Sequence, residues 1–413
     1  MVSSRSCANV TGRALFLSLV HPDFLPSLYA VAQVMRDADY QVDLFSFSSP
    51  VPAAHDVGPG IVLHDLGPHQ GNWSTRFLAR RKFRRTVSAW SAHHATSAII
   101  ATCPFSLLVA VDVARGGVPV VYLAYETYEA TWRDFARSPT NTVRNWRVLR
   151  CLTGVDVVCA PSEERAEWLQ RQARLKAPPH VVLNAPYVAD ANTRRASDDV
   201  SLAELFGLLG TRRVVIHTGN VSGTQVLLEL IDSAQGWPEE TVLVVTNVRD
   251  TDYGQAVRSR AAASPRSQDI LLLPTVKRDT MLALQARAVV GVCLLRASDN
   301  LGSSIPAPNK VGEYLHAGLI TVANESSYMR VLEREGVAVL ARSLEPLAIA
   351  EAVMAALRIS EREGARQLAQ NVARSWYHMG RQFAPILEIV QARRQCRSGP
   401  AGPESSRDLR VNS

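Results

Sequence analysis

The chain has 413 residues, 47% hydrophobic and 20% charged, with a formal net charge of +7. That length predicts two domains, each able to bury its own core, and that composition excludes a disordered chain. No apolar run approaches the roughly 20 residues of a membrane span, and the basic balance favours an acidic ligand or an anionic surface without choosing between them.

Six cysteines, Cys7, Cys103, Cys151, Cys159, Cys293 and Cys396, form no C-x-x-C pair. Several lie in apolar runs, so they read as buried free thiols of a reducing compartment rather than a disulfide frame or zinc site. A cytoplasmic location is the corresponding expectation.

In chain order, residues 14–20 form an apolar run with no small-residue cleavage site after it, a core strand rather than a signal peptide. It ends at His21. An amphipathic segment 25–35 and strands 41–47 and 61–63 follow, then a long helix over 74–94. Strand 98–101, helix 105–115, strand 119–124, helix 142–152, strand 156–160, helix 162–174 and strand 180–183 complete the first half. Asn184-Ala185-Pro186 stops it, and polar sequence marks a linker.

The alternation restarts at 213–217 with helix 224–234, strand 241–245, helix 253–262, strand 270–273, helix 279–286 and strand 289–295. A short helix and a buried strand come next, within residues 306–323. Helical segments 345–359 and 361–394 follow, with a break near Trp376. Strands alternating with helices of this length predict an α/β chain of two Rossmann-like domains with parallel sheets. The expected boundaries are a first domain 1–188, a linker 189–210, a second domain 211–375, a C-terminal helix 376–395 packing back on the first domain, and a disordered tail 396–413.

Ligands of such sheets bind beyond the carboxyl ends of the strands, so the cleft between the domains is the expected site. His217-Thr218-Gly219-Asn220 follows the second domain's first strand, and its turn, with Gly219 and Asn220, suits a phosphate beside a helix N-terminus. The G-x-G-x-x-G fingerprint is missing, which disfavours a dinucleotide-dependent dehydrogenase. The polar segment 296–310 leaves the carboxyl end of strand 289–295, and at about a dozen residues it is long for a connection. It offers donors in Ser303, Ser304 and Asn309, and Lys310 supplies a point charge; the chain has only four lysines, Lys82, Lys176, Lys277 and Lys310. Glu313 can accept the two hydroxyl hydrogens of a ribose. His21 and Glu126, the candidate catalytic residues, each follow a strand of the first domain and are expected to face the same cleft, where a carboxylate can orient an acceptor hydroxyl. Residues Arg76 to Arg85 include six basic residues among aromatics, which suits an anionic membrane or a solvated helix; no recognition motif points to nucleic acid.

Pro308-Asn309-Lys310-Val311-Gly312-Glu313-Tyr314-Leu315-His316-Ala317-Gly318 resembles the P-x-K-x-x-E-Y-x-x-x-G motif of GT-B glycosyltransferases, most closely the retaining glycosyltransferase family 4. The His217–Asn220 turn, Tyr125-Glu126 and Val182-Leu183-Asn184-Ala185-Pro186 are similar to the family in order and setting, and the resemblance covers about residues 12–392. It implies transfer of a sugar from a UDP- or GDP-linked donor to an acceptor hydroxyl, with no other cofactor and no metal. It also implies a setting in bacterial-type glycoconjugate or natural-product biosynthesis. Glu313 would hold the ribose, the loop from Asn300 to Lys310 the sugar and diphosphate, and His21 and Glu126 a small-molecule, glycan or lipid-linked acceptor. A lipid-linked acceptor would bring the chain to the inner face of the membrane.

The chain departs from the family pattern twice. Ile305 stands eight positions before Glu313, where members often carry a second glutamate. No Arg or Lys occurs in 219–230, so the diphosphate charge falls to Arg249, Lys277 or Lys310. A GT-B-fold sugar-nucleotide epimerase and a catalytically silent GT-B-like binding protein are the competing readings.

Overall fold

The computed structural model describes residues 12–22, 25–48, 60–68, 73–114, 117–125, 139–186, 200–296 and 309–398. The expected sites Glu126, Asn300, Ser303 and Ser304 lie outside these, as do Ile305 and residues 187–199 and 399–413.

The first half forms a seven-stranded parallel sheet from β1 (Gly12–Leu17), β2 (Tyr40–Ser46), β3 (Ile61–Asp65), β4 (Ala98–Ala101), β5 (Val120–Leu123), β6 (Val157–Ala160) and β7 (His180–Val181), ordered β3-β2-β1-β4-β5-β6-β7. The second half forms a six-stranded parallel sheet from β8 (Arg213–His217), β9 (Thr241–Val245), β10 (Ile270–Leu272), β11 (Val290–Cys293), β12 (Ile320–Ala323) and β13 (Ala338–Leu340), ordered β10-β9-β8-β11-β12-β13. Strands buried on both faces need near-continuous apolar sequence, and Ala98–Ala101, Thr241–Val245 and Val290–Cys293 are buried throughout.

In each sheet the winding reverses beside the first strand, between β1 and β4 and between β8 and β11. These switch points open a crevice at the carboxyl ends of the strands. The second domain's crevice is therefore lined by the chain leaving β8 at Thr218 and the chain leaving β11 at Leu294. In the first domain, His21 lies four residues beyond the end of β1.

The first sheet is covered on one face by α1 (Pro26–Asp37) and on the other by α2 (Trp73–His93), α3 (Pro104–Val113), α4 (Pro139–Cys151) and α5 (Glu163–Ala173). Starts are set locally: Ser162 accepts from Arg165 N at 3.3 Å to cap α5, and Pro104 opens α3 where an N–H has no intrahelical partner.

Three features differ from the sequence expectation. Within the expected linker 189–210, α6 (Val200–Leu209) forms, because Leu202 and Leu209 are buried. The helix after β8, α7 (Leu227–Ser233), opens at Leu227 rather than at Thr224, because the Gln225 backbone bridges to Leu295 instead. The last helix runs to Ser398, into the segment expected to be disordered.

The second domain adds α8 (Asp252–Ala262), α9 (Arg278–Arg287), α10 (Asn309–His316), α11 (Ser327–Arg334), α12 (Pro346–Ser360) and α13 (Ala365–Trp376). The final helix, α14 (Met379–Ser398), then crosses to pack on α1. Gln382 of α14 accepts from Leu183 N at 2.5 Å, and Ser327 bonds Glu164 across the two halves. Among the described residues no helix is long and apolar enough to cross a membrane.

Candidate functional site

The second crevice is built around α10, which follows the β11 loop and carries Lys310 and Glu313 one turn apart. Tyr314, on the same helix, fixes its position. Its ring passes over Gly291 of β11, where a Cβ would come within 2.3 Å of the ring. Its hydroxyl accepts from Thr218 N at 2.9 Å and lies 3.2 Å from Thr218 Oγ1. The turn after β8 and the helix after β11 are thereby locked in one geometry.

Lys310 reaches across that lock to the turn. Its Nζ donates to Gln225 Oε1 at 3.0 Å and lies 3.4 Å from His217 Nε2. At Gly219, with φ of +99°, a Cβ would sit 3.7 Å from Lys310 Cε, so the lysine lies against the turn. A left-handed φ of that kind suits glycine and exposes the turn backbone to close approach. Burial lowers the Lys310 pKa from its ordinary value. Burial, and then the Lys310 charge, hold His217 well below the usual imidazole range. His217 is therefore neutral, and in the tautomer with its proton on Nδ1 its Nε2 accepts from the ammonium.

Glu313 is 6% exposed. Gln285 of α9 donates to its Oε2 at 3.2 Å and lies 3.4 Å from Thr218 Oγ1. Arg278, at the start of α9, brings Nη1 to 2.8 Å from Glu313 Oε1. The angles of that ion pair are not those of a hydrogen bond, and Glu313 Oε1, Gln285 Oε1 and Asn309 Oδ1 are buried acceptors with no hydrogen-bond donor among the described residues. Buried acceptors of this kind are costly unless something fills them.

The three cations expected to meet a diphosphate are placed differently. Lys310 touches the turn. Arg249 reaches it through Asn247: Arg249 Nε donates to Asn247 Oδ1 at 3.1 Å, and Asn247 Nδ2 donates to Gly219 O at 2.9 Å. Thr275 Oγ1 also donates to Asn247 Oδ1, at 2.6 Å. Asn247 adopts φ of 66°, a left-handed geometry that asparagine tolerates. Lys277 is the exposed N-cap residue of α9, and it is the next residue, Arg278, that meets Glu313. Asn220 is exposed and donates through Nδ2 to Ser222 Oγ at 3.1 Å. In the first domain His21 is buried at the other switch point.

Sequence reasoning missed Arg278, Gln285, Gln225 and Asn247. Asn247 and Arg278 each follow a strand's carboxyl end by a few residues, which is the signal that could have found them. Gln225 and Gln285 carry no such mark. Among the described residues no group of three or more His, Cys, Asp or Glu could hold a metal ion.

Residues 27–185 match the family model described as Glycosyltransferase Family 4. Solved structures align over nearly the whole chain. Sucrose-phosphate synthase from Thermosynechococcus elongatus aligns with TM-score 0.67 and 13% identity, covering 92% of this chain and 99% of its own. The fold is GT-B. HepE from Anabaena, solved in complex with UDP, shares this GT-B architecture with TM-score 0.64 and 15% identity over 92% of this chain and 100% of its own. The α,α-trehalose 6-phosphate synthase from Burkholderia multivorans aligns with TM-score 0.64 and 13% identity, over 94% and 99% of the two chains. No curated protein matches the sequence significantly. In a GT-B chain the crevice at β8 and β11 belongs to the C-terminal domain, and α14 returns to the N-terminal one.

Proposed function

We propose that this protein is a retaining glycosyltransferase that moves a sugar from a UDP-linked donor to an acceptor hydroxyl. The observation that carries the reading is Glu313: a buried carboxylate at the switch-point crevice, ion-paired to Arg278 at 2.8 Å yet with Oε1 accepting no hydrogen bond among the described residues. A ribose diol supplies aligned hydroxyl donors, which the Arg278 ion pair does not. Support for a UDP-linked donor rather than a GDP-linked one comes from HepE, which was solved with UDP and with UDP-glucose.

In this reading Lys310 and the Gly219 turn hold the diphosphate, and Arg249 adds charge through the Asn247 arm. Charge develops on the diphosphate as the glycosidic bond breaks, so these fixed donors stabilise the transition state more than the ground state. Asn300, Ser303 and Ser304 take the donor sugar. His21 and Glu126 orient the acceptor, and domain closure excludes water. No protein nucleophile is required.

Glu313→Ala tests the reading. It is expected to weaken UDP binding by at least ~1.4 kcal/mol, about tenfold. Glu313→Gln, which keeps the volume and a partner for Gln285, separates loss of the carboxylate from collapse of the site. Calorimetric titration showing unchanged affinity in both variants would remove Glu313 from the site.

A further inference from the structure

The helices α2, α3 and α4 lie side by side on the first sheet, with α3 packed between the other two. Together they carry nine Arg or Lys (six on α2, three on α4) against one acid, Asp112, a formal +8. The whole chain carries +7. All of the net positive charge therefore resides on one layer of one domain, and the remainder sums to −1.

The same layer exposes large apolar side chains. Phe77 is 52% exposed and Leu78 60% on α2; Val143 is 49% and Trp146 52% on α4. Helical geometry explains the arrangement. Phe83 and Val87 form the buried side of α2, so Phe77, Leu78, Arg81 and Arg85 fall on the outward arc. On α4, Val148 and Leu149 point inward, and Val143, Trp146, Arg147 and Arg150 point out. The Arg150 guanidinium lies 4.6 Å from the Trp146 ring centroid. Arg84 pairs with Asp112 at 2.8 Å, which takes up the layer's single acid.

The apolar residues sit in the first two turns of α2 and α4. Helices that return along a parallel sheet begin at the carboxyl ends of its strands, so these residues lie on the same end of the sheet as the first-domain crevice. The charges continue down the face. An apolar leading edge on a basic face matches an anionic bilayer: rings enter the headgroup region while arginines meet phosphates.

We propose that the α2–α3–α4 face docks the protein on anionic phospholipid, with the mouth of the first-domain crevice at the membrane surface. Docking is independent of whether the second crevice binds a nucleotide sugar, so its test can fail separately from that reading.

The test is co-sedimentation of the full chain with phosphatidylcholine vesicles and with vesicles containing phosphatidylglycerol, across a salt series. Binding is expected to phosphatidylglycerol vesicles only, falling with salt. Arg81→Ser/Arg85→Ser is expected to weaken partitioning about tenfold or more. Phe77→Ser/Trp146→Ser, two exposed sites, is expected to weaken it while leaving the salt dependence in place. Circular dichroism checks that both variants fold. Absence of binding to anionic vesicles at physiological salt overturns the proposal. So does binding that survives Phe77→Ser/Trp146→Ser unchanged, since the face would then be a general polyanion surface, such as one for nucleic acid.

Discussion

Lys310 shows how one residue's surroundings define its role. It is held by two neutral acceptors, Gln225 Oε1 and His217 Nε2. Its charge is poorly solvated, so its pKa falls. An anionic diphosphate would raise that pKa again. Binding then takes up a proton, and affinity rises as pH falls through the ligand-free pKa, below the ordinary 10.5. Lys310→Met is expected to weaken UDP binding about 10- to 100-fold, the range for a charge-assisted hydrogen bond, and to flatten this pH dependence. Calorimetry at several pH values checks both, and a variant that keeps the wild-type slope assigns the proton elsewhere. Lys310 and Glu313 were legible in the sequence because a rare lysine stood three residues before a glutamate at a strand's carboxyl end. Arg278 was not, although its neighbour Lys277 is among the expected cations: which of two adjacent cations turns inward depends on helix phase, which composition does not give.

Elements that follow a strong local pattern were readable, including both parallel sheets and the break near Trp376. The start of α7 was not, because a long-range bridge from Gln225 to Leu295 overrides local helix preference. Nor was α6, whose burial of Leu202 and Leu209 depends on tertiary contacts. The end of α10 has a consequence for acid stability. His316 there lies 3.2 Å from Tyr377 O, and burial, with Arg374 and His378 nearby, lowers its pKa to about 4. The unfolded chain protonates this histidine near pH 6.5 while the folded chain keeps it neutral. Stability therefore falls as pH drops from about 6.5 towards 4, by about 2–3 kcal/mol for this group at pH 4.5. His217 acts in the same direction. Urea unfolding at pH 7 and pH 4.5 is expected to show a smaller loss for His316→Gln than for wild type. An equal loss would assign the acid sensitivity to other groups.

At the scale of the molecule, the two halves meet where no side chain intervenes. A Cβ on Gly312 would lie 2.8 Å from the Tyr377 ring and 3.2 Å from Asn184 O. Glu313 is thus one residue from the junction of both domains and the turn into α14. Two α/β units and a cleft between them are legible in the sequence; this junction is not, because the small size of Gly312 matters only once Asn184 and Tyr377 are brought beside it. Charge is divided as sharply as the fold, with the basic layer on the first domain and the nucleotide-binding crevice proposed in the second. The central claim is that this crevice activates a nucleotide sugar. The most direct test is to incubate the protein with a panel of UDP- and GDP-linked sugars and follow release of free nucleoside diphosphate. Slow release of UDP from one donor, lost in Glu313→Ala, is the predicted result. Conversion of a donor to an isomeric nucleotide sugar, or no binding of any donor, would contradict it.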